Sequence, residues 1–248
     1  RKESSAASDV YKRQLKDKNF AVIALSGIFH ACAVGIASAL WVYMQPYYWG
    51  FDSDQISLML VGNLFSALLA FALLPLLMRG RDKKPILIAT SVVALFINCL
   101  PVFLSLYDLF PAVGTQLLFY TMFVMGVFQV TLLVITSSLT GSVLADVIDA
   151  RSVHTGRREE GLLFSVQSFM GKVATGMGVS MAGMILTLVA FPADSLGADL
   201  GADVASNLGW LYASTLAFFF VLSILTLLLF SLDRAAHEKN ITLLEDAA

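Results

Sequence analysis

The sequence predicts an all-α integral membrane fold, and its composition and hydropathy pattern carry that prediction. Of its 248 residues, 58% are apolar and 14% are charged, whereas soluble domains average about 45–50% and 25%. The apolar residues fall into six continuous stretches, each longer than the roughly 18 residues that cross a bilayer. A soluble globule and a disordered chain are therefore excluded. The net charge of −2 provides no basic surface for nucleic acid.

The six stretches are expected to be transmembrane helices, because lipid cannot satisfy the hydrogen bonds of an open backbone. Their apolar runs do not alternate with polar residues, which argues against a β-barrel. The predicted spans are 20–44, 55–78, 85–106, 112–139, 161–191 and 207–232. We expect residues 15–232 to form one bundle and residues 233–248 to form a cytoplasmic tail.

The segment before the first span differs from the rest of the chain. Residues 1–14 are polar, begin without Met and are unlike a signal peptide. We expect this segment to be non-native and leave it out of the functional argument. We also expect the chain to be a fragment that lacks an upstream part.

Basic residues in the connections predict the orientation of the spans. The connection after the second span, RGRDKK, holds four basic residues, and Arg151, Arg157 and Arg158 follow the fourth span. The connections after the first, third and fifth spans hold no Lys or Arg. The positive-inside rule therefore places both termini in the cytoplasm.

The first span combines small residues with one histidine. Small side chains recur every fourth residue from Gly27 through Ala31 and Gly35 to Ala39, a pattern that allows a second helix to approach closely. His30 lies in the same span and is a candidate pathway residue, although a membrane histidine often only bonds to a neighbouring helix. The aromatic residues from Trp41 to Trp49 are interpreted mainly as an interfacial belt.

The second, third and fourth spans each contain an uncharged polar residue. Asn63 and Gln129 are candidates for lining a solute pathway. Asn98 and the adjacent Cys99 are interpreted as packing residues. Neither cysteine has the spacing of a disulfide framework or a metal site.

The fifth span contains the chain's one charge well inside the predicted membrane. Lys172 lies roughly 16 Å into that span at 1.5 Å per residue, where an ammonium costs about 3 kcal/mol. Ser168 and Thr175 share its face by helical spacing, and Gln167 adds an amide. A second face carries the small residues Ala174, Gly178 and Ala182. The span is thus predicted to have one polar face and one packing face.

No enzyme motif is present in the sequence. It lacks an HExxH pair, a G-x-S-x-G turn, a phosphate-binding loop and a Cys/His cluster. We therefore expect a protein that is not an enzyme and that uses no organic cofactor or resident metal.

The stretch from Ala145 to Gly178 contains ADVID at 145–149, followed by a basic loop, and then SVQ at 165–167 followed by Lys172. In these motifs it resembles the glycoside–pentoside–hexuronide:cation symporters, the melibiose-permease-like branch of the major facilitator superfamily. The resemblance implies that the chain is the C-terminal half, six helices of a 12-helix transporter. It further implies that the first, second, fourth and fifth spans line the cavity while the third and sixth face lipid.

The same resemblance implies cation-coupled symport of a sugar or glycoside by alternating access, in a bacterial inner membrane. The coupling cation is expected to be Na⁺ or H⁺, with its carboxylate ligands in the missing N-terminal half, the expected partner of this chain. Lys172, Gln167 and Ser168 match positions near the solute and cation. The expected cytoplasmic gate consists of Asp146 and Asp149 with the nearby Arg157 and Arg158.

Two alternatives remain open from the sequence. Ser137 stands where the family places an aromatic side chain near the sugar, so a lipid or lysolipid carrier on the same scaffold is one alternative. A self-contained six-helix channel or interaction protein is the other.

Overall fold

The computed structural model describes residues 18–155, 160–192 and 201–230. Within these ranges the chain is helical and contains no strand, and six helices are long and apolar enough to cross a membrane. They are α1 (Lys18–Tyr43, continued by a π-helical turn at Met44–Tyr48), α2 (Ser53–Met78), α3 (Lys83–Leu106), α4 (Gln116–Thr155), α5 (Glu160–Leu188) and α6 (Ala202–Leu228). The predicted fold class is confirmed, whereas the orientation stays a prediction. Residues 1–14 and 233–248 lie outside the described residues.

Local sequence signals account for the connection between α1 and α2. Pro46 lies in the π-helical turn, where its missing N–H interrupts regular α-helical bonding. The chain then reverses through Gly50, whose φ of +66° favours glycine. Asp52 starts α2 with a capping box: its carboxylate accepts from the Gln55 backbone N–H at 2.8 Å, and the Gln55 side chain accepts from the Asp52 backbone N–H at 3.1 Å.

The largest difference from the predicted spans is in α4, which begins at Gln116 and continues to Thr155 instead of running from 112 to 139. The polar stretch that follows the apolar run stays helical, since its residues lack a helix-breaking Pro. Asp146 and Asp149 therefore lie on the final turns of a spanning helix.

The small-residue faces of α1 and α5 meet each other, which confirms the packing face predicted for each helix. A Cβ added at Gly35 would overlap the carbonyl of Ala174, and one added at Gly178 would overlap the backbone of Gly35. Nearer the start of α1, Gly27 lies against the Met170 side chain. The two backbones are thus in direct contact, which only glycine at these positions permits.

Burial is unequal among the helices. In the most apolar part of each span, 56% of α1 and 50% of α3 is buried, against 17% for α2 and 22% for both α4 and α5. Helices α2, α4 and α5 therefore present broad surfaces to whatever surrounds the bundle.

Helix α1 is also joined to α6 by hydrogen bonds. The Ser26 and Ser223 hydroxyls each donate to the other residue's backbone carbonyl at 2.9 Å.

Two aromatic residues at the end of α1 are buried in the bundle. Tyr48 and Trp49 are 9% and 2% exposed and stack edge to face at 4.7 Å. The Tyr48 hydroxyl donates to the Val102 carbonyl at 3.3 Å, and its ring lies against Gly209 of α6. The interpretation as a lipid-facing belt is wrong for these two residues, because both are buried inside the bundle.

Candidate functional site

A cavity of about 320 Å³ lies between the helices of the bundle. Its lining comes from α1, α2, α3 and α4, together with Phe220 of α6. The volume lies in the range of small-molecule sites. The lining residues Leu60 and Asn63 are exposed on α2, so the cavity opens beside that helix.

Polar side chains from four helices converge on this cavity. They include three of the residues singled out from the sequence, namely His30, Asn63 and Gln129. The full polar set consists of His30, Ser38, Gln45, Asn63, Asn98, Gln129 and Thr136. Among the described lining residues there is no Asp, Glu, Lys or Arg. The described lining is therefore mostly apolar, with neutral polar groups set into it and no carboxylate, ammonium or guanidinium.

Two of these residues form a bonded amide pair. The Gln129 side-chain amide donates to Asn98 Oδ1 at 2.7 Å, and the Asn98 amide in turn donates to the Ala94 carbonyl at 2.7 Å. Asn98 is only 8% exposed, so this chain of bonds joins α3 to α4 where water has little access. Asn98 thus lines the cavity as well as packing, whereas Cys99 beside it is buried with its thiol 3.6 Å from the Ala213 carbonyl.

Other polar atoms at the cavity have no partner. Both ring nitrogens of His30, Oε1 of Gln45 and Oγ1 of Thr136 are buried without a hydrogen bond within the described part of the chain. The His30 ring contacts Phe220 edge to face at 5.6 Å. An unsatisfied buried polar atom costs about 1–3 kcal/mol, so these atoms favour water or another hydrogen-bonding occupant in the cavity.

The three residues predicted on the fifth span lie elsewhere. Lys172, Gln167 and Ser168 are exposed on α5 and do not belong to the described cavity lining. Gln167 extends towards α4, where a Cβ added at Gly141 would lie 2.9 Å from its Nε2. Within the described residues, Lys172 makes no hydrogen bond or ion pair. The structure thus separates the predicted residues into a cavity group and a surface group.

This arrangement differs from the one that the resemblance implies. The third span supplies Asn98 to the cavity, whereas the described part of the fifth span supplies no lining residue. The polar surface of α5 instead faces out of the bundle, and Ser137 of α4 is likewise exposed. The bundle therefore carries two polar features, an internal cavity and an outward-facing surface.

The gate motif has a basic partner that the sequence did not indicate. Both carboxylate oxygens of Asp146 accept from Lys83 Nζ, at 2.6 and 2.7 Å, and the two side chains are 14% and 25% exposed. Asp149 is exposed. Arg157 and Arg158, the expected partners, lie outside the described residues. The bridge joins the start of α3 to the last turns of α4.

The next lysine makes a second tether at the same end of the bundle. Lys84 donates from Nζ to the Leu228 carbonyl at 3.1 Å and also to the Phe230 carbonyl. A cation here also interacts favourably with the negative end of the α6 dipole. The RGRDKK connection therefore holds the ends of α4 and α6 together.

The sequence contained weak signals for the residues that its analysis missed. In the sequence, Lys83 and Lys84 indicate the orientation, and a lysine at a helix start can also reach the end of a neighbouring helix. Gln45 and Thr136 lie at the ends of apolar runs, where single polar residues are common. Only the three-dimensional packing identifies them as lining residues. Among the described residues, no cluster of His, Cys, Asp or Glu suits a metal ion.

A family model described as MFS/sugar transport protein matches residues 1–234 of the chain. No curated protein and no solved structure matches it.

Proposed function

Because the chain belongs to the MFS/sugar transport protein family, we propose that it acts in cation-coupled symport of a sugar or glycoside by alternating access. In this proposal the chain forms the C-terminal six-helix bundle of a melibiose-permease-like transporter. A second bundle completes the solute site, and Na⁺ or H⁺ is the coupling cation. Solute and cation then cross together as the two bundles rock around a site near the middle of the membrane.

The observation that carries the proposal is the exposed ammonium of Lys172 on a membrane-spanning helix. It lies within the candidate span Phe164–Leu188, roughly 12 Å from Phe164 along the helix axis. A lysine in contact with lipid at such a depth costs about 2.5–3.5 kcal/mol on insertion scales. A wet cleft or an opposite charge on a second bundle removes that cost.

The rest of the α5 surface supports the same interpretation. Ser168 and Thr175 are exposed on the side that carries Lys172, and the Thr175 hydroxyl donates to the Gly171 carbonyl of its own helix at 3.2 Å. Gly171 and Gly176 are also exposed, and a Cβ at either would meet nothing within 4 Å. A polar surface rich in small residues suits a partner bundle and a solute better than it suits lipid chains.

The Lys83–Asp146 bridge supplies an element that alternating access needs. A contact that forms in one conformation and breaks in the other biases the equilibrium by its own free energy. Shifting a two-state population from 1:99 to 99:1 takes about 5.5 kcal/mol. One partly buried pair supplies a fraction of that amount, so in this proposal it acts together with other contacts at the cytoplasmic end.

The test is solute uptake by the full-length transporter in proteoliposomes, with melibiose as the probe and a Na⁺ or H⁺ gradient imposed. We expect Lys172→Ala to lower gradient-driven uptake at least about tenfold, which corresponds to about 1.4 kcal/mol. Lys18→Ala, which removes an exposed lysine at the start of α1, is the matched control and should leave uptake unchanged. Unchanged uptake by Lys172→Ala would refute the role, and uptake of lysophospholipid instead of sugar would favour the lipid carrier.

A further inference from the structure

We propose that an anionic phospholipid binds on the exposed side of α2, with its phosphate held by Arg79 and Arg81. The inference goes beyond the proposed function, because it concerns a lipid partner of the bundle and not the solute that crosses the membrane. It depends on a turn that brings two exposed arginines together at the end of an exposed apolar strip.

A tight turn at the end of α2 holds both arginines. The Arg81 backbone N–H donates to the Met78 carbonyl at 3.3 Å. Arg79 has φ −63° and ψ 108°, and Gly80 has φ +68°. These angles define a type II turn, which favours glycine at its third residue. The Cα atoms of Arg79 and Arg81 are at most roughly 7.6 Å apart, since consecutive Cα atoms are about 3.8 Å apart, so both guanidiniums can reach one phosphate.

The lysines of the same connection are already bonded, whereas the arginines are free. Lys83 is paired with Asp146, and Lys84 donates to carbonyls at the end of α6. Arg79 and Arg81 are exposed, and their guanidiniums make no hydrogen bond or ion pair within the described part of the chain. A guanidinium presents a planar set of donors that matches a phosphate bidentately. The turn therefore offers two guanidiniums to a phosphate outside the bundle.

An exposed apolar strip on α2 leads to this turn. It consists of Phe65, Leu68, Ala72 and Leu76, which are all exposed and follow one another at intervals of three or four residues. Residues at these intervals share one face of a helix, and Arg79 continues the series. The strip is roughly 16 Å long at 1.5 Å per residue, about half of the roughly 30 Å hydrocarbon thickness. Its length therefore matches the acyl chains of one leaflet.

The α2 strip lies away from the cavity and from the neighbouring helix α4. At about 100° per residue, Ala72 lies roughly 180° around the helix axis from Asn63, which lines the cavity. The side of α2 that packs on α4 is marked by Ser66, which is buried and whose carbonyl accepts from the Thr131 hydroxyl at 3.2 Å. The strip thus faces the surroundings of the bundle, where lipid chains can lie against it.

The charge of the turn fits a phospholipid headgroup. Asp82 beside the turn is exposed and offsets one of the two arginine charges, so a single positive charge remains to meet the single negative charge of a phosphodiester. The predicted orientation places this connection at the cytoplasmic leaflet, where anionic lipids attract basic residues. A lipid uses the arginines and the α2 strip together, whereas a free phosphate ion would use the arginines alone.

The test measures phospholipid binding to the purified full-length transporter by native mass spectrometry. Phosphatidylglycerol is the anionic probe, and phosphatidylcholine with the same acyl chains is the zwitterionic control. We expect phosphatidylglycerol to bind more tightly to the parent protein. Arg79→Gln combined with Arg81→Gln should weaken its binding at least about tenfold, since each basic residue near an anionic surface contributes about fivefold. Lys18→Gln removes an exposed cation at the same end of the bundle and should leave binding unchanged.

Thermal unfolding separates lipid binding from folding. Without phosphatidylglycerol, we expect the double arginine variant to have the Tm of the parent protein, because both side chains are exposed. Added phosphatidylglycerol should raise the Tm of the parent and of Lys18→Gln, since a ligand of the native state stabilises it. It should raise the Tm of the double variant much less. An equal rise in all three proteins would contradict the site.

A headgroup without acyl chains tests the role of the α2 strip. Glycerol 3-phosphate carries a phosphate but no chains, and we expect a hundredfold excess of it to leave phosphatidylglycerol bound. Displacement by this excess would mean that the turn is a phosphate site and not a lipid site, which would overturn the inference.

The remaining outcomes distinguish a built site from diffuse attraction. If Lys18→Gln weakens phosphatidylglycerol binding as much as the double arginine variant does, the basic end of the bundle attracts anionic lipid without a specific site and the inference is overturned. Equal binding by the parent and the double arginine variant would also overturn it. No sugar is present in these measurements, so either result leaves the proposed transport function standing.

Discussion

Lys172 and His30 are two polar residues in the membrane-spanning part of the chain that have opposite surroundings. Lys172 is exposed on the surface of α5, so its ammonium must be stabilised by water or an opposite charge outside the bundle. His30 has its ring nitrogens buried at a cavity, so the hydrogen-bond partners of its imidazole must come from within that cavity. Their polarity within apolar spans marks both residues as unusual in the sequence, but the sequence alone does not distinguish these two situations.

The Asn98–Gln129 pair allows a prediction about stability. Asn98→Leu leaves the half-buried Gln129 donor without its acceptor, and Gln129→Leu leaves the buried Asn98 Oδ1 without its donor. We expect each single change to lower the free energy of unfolding by about 1–3 kcal/mol. The double variant should lose less than the sum of the two, because it leaves neither group unpaired. Denaturant titration in detergent measures the cycle, and strict additivity would show that the pair is not coupled.

Helices α1 and α5 show how small residues determine the position of a whole element. Their backbones touch at Gly35 and Gly178, and this contact leaves the opposite side of α5 facing outwards with Lys172. The packing of one face of α5 against α1 thereby determines that the face carrying Lys172 points outwards. A bulkier residue at the crossing would separate the helices and change the orientation of the polar surface.

Two glycines on α5 provide a matched test of this contact. A Cβ at Gly178 would overlap the Gly35 backbone, whereas one at Gly183 would meet nothing within 4 Å. We expect Gly183→Ala to raise stability by up to about 1 kcal/mol through its better helix propensity. Gly178→Ala should lower stability and sugar uptake together, because the crossing must open. Equal Tm values for the two variants would contradict the close approach of the helices.

The tether between α3 and α4 leads to a prediction about transport. Lys83→Met removes the ammonium that donates to both carboxylate oxygens of Asp146 while keeping much of the side-chain volume. We expect a lower maximal uptake rate, because the pair biases the conformational equilibrium, together with a fall in Tm, because the Asp146 carboxylate is only 14% exposed and loses a charged partner. The exchange Lys83→Asp with Asp146→Lys should restore part of the rate. Uptake by Lys83→Met equal to that of the parent protein would exclude a gating role.

At the scale of the whole molecule, hydropathy was sufficient for the fold class but not for the details of the site. Six apolar runs predicted six helices, because span length and backbone satisfaction leave no other arrangement. The small-residue ladders also predicted the packing face of α5. Sequence could not show that Asn98, Gln45 and Thr136 share one cavity, since this depends on helix rotation and on the π-helical turn. Nor could it pair Asp146 with Lys83, which lies 63 residues away.

The proposed division into two bundles makes a prediction about the chain by itself. We expect the 248-residue chain, reconstituted alone, to insert into liposomes without transporting melibiose, because half of the proposed solute site is absent. Protease protection reports insertion, and uptake is measured on the same vesicles. Saturable melibiose uptake by the chain alone would contradict the two-bundle account and favour a self-contained six-helix protein.

The most direct test of the account is whether position 172 meets water. In full-length protein with Cys32 and Cys99 replaced by Ala, Lys172→Cys is compared with Phe218→Cys, a residue 58% exposed on α6. Both are treated with a charged methanethiosulfonate reagent. The account predicts that position 172 reacts, that melibiose slows this reaction, and that position 218 stays unreactive in lipid. Failure of position 172 to react, as expected of a lipid-facing site, would contradict the account.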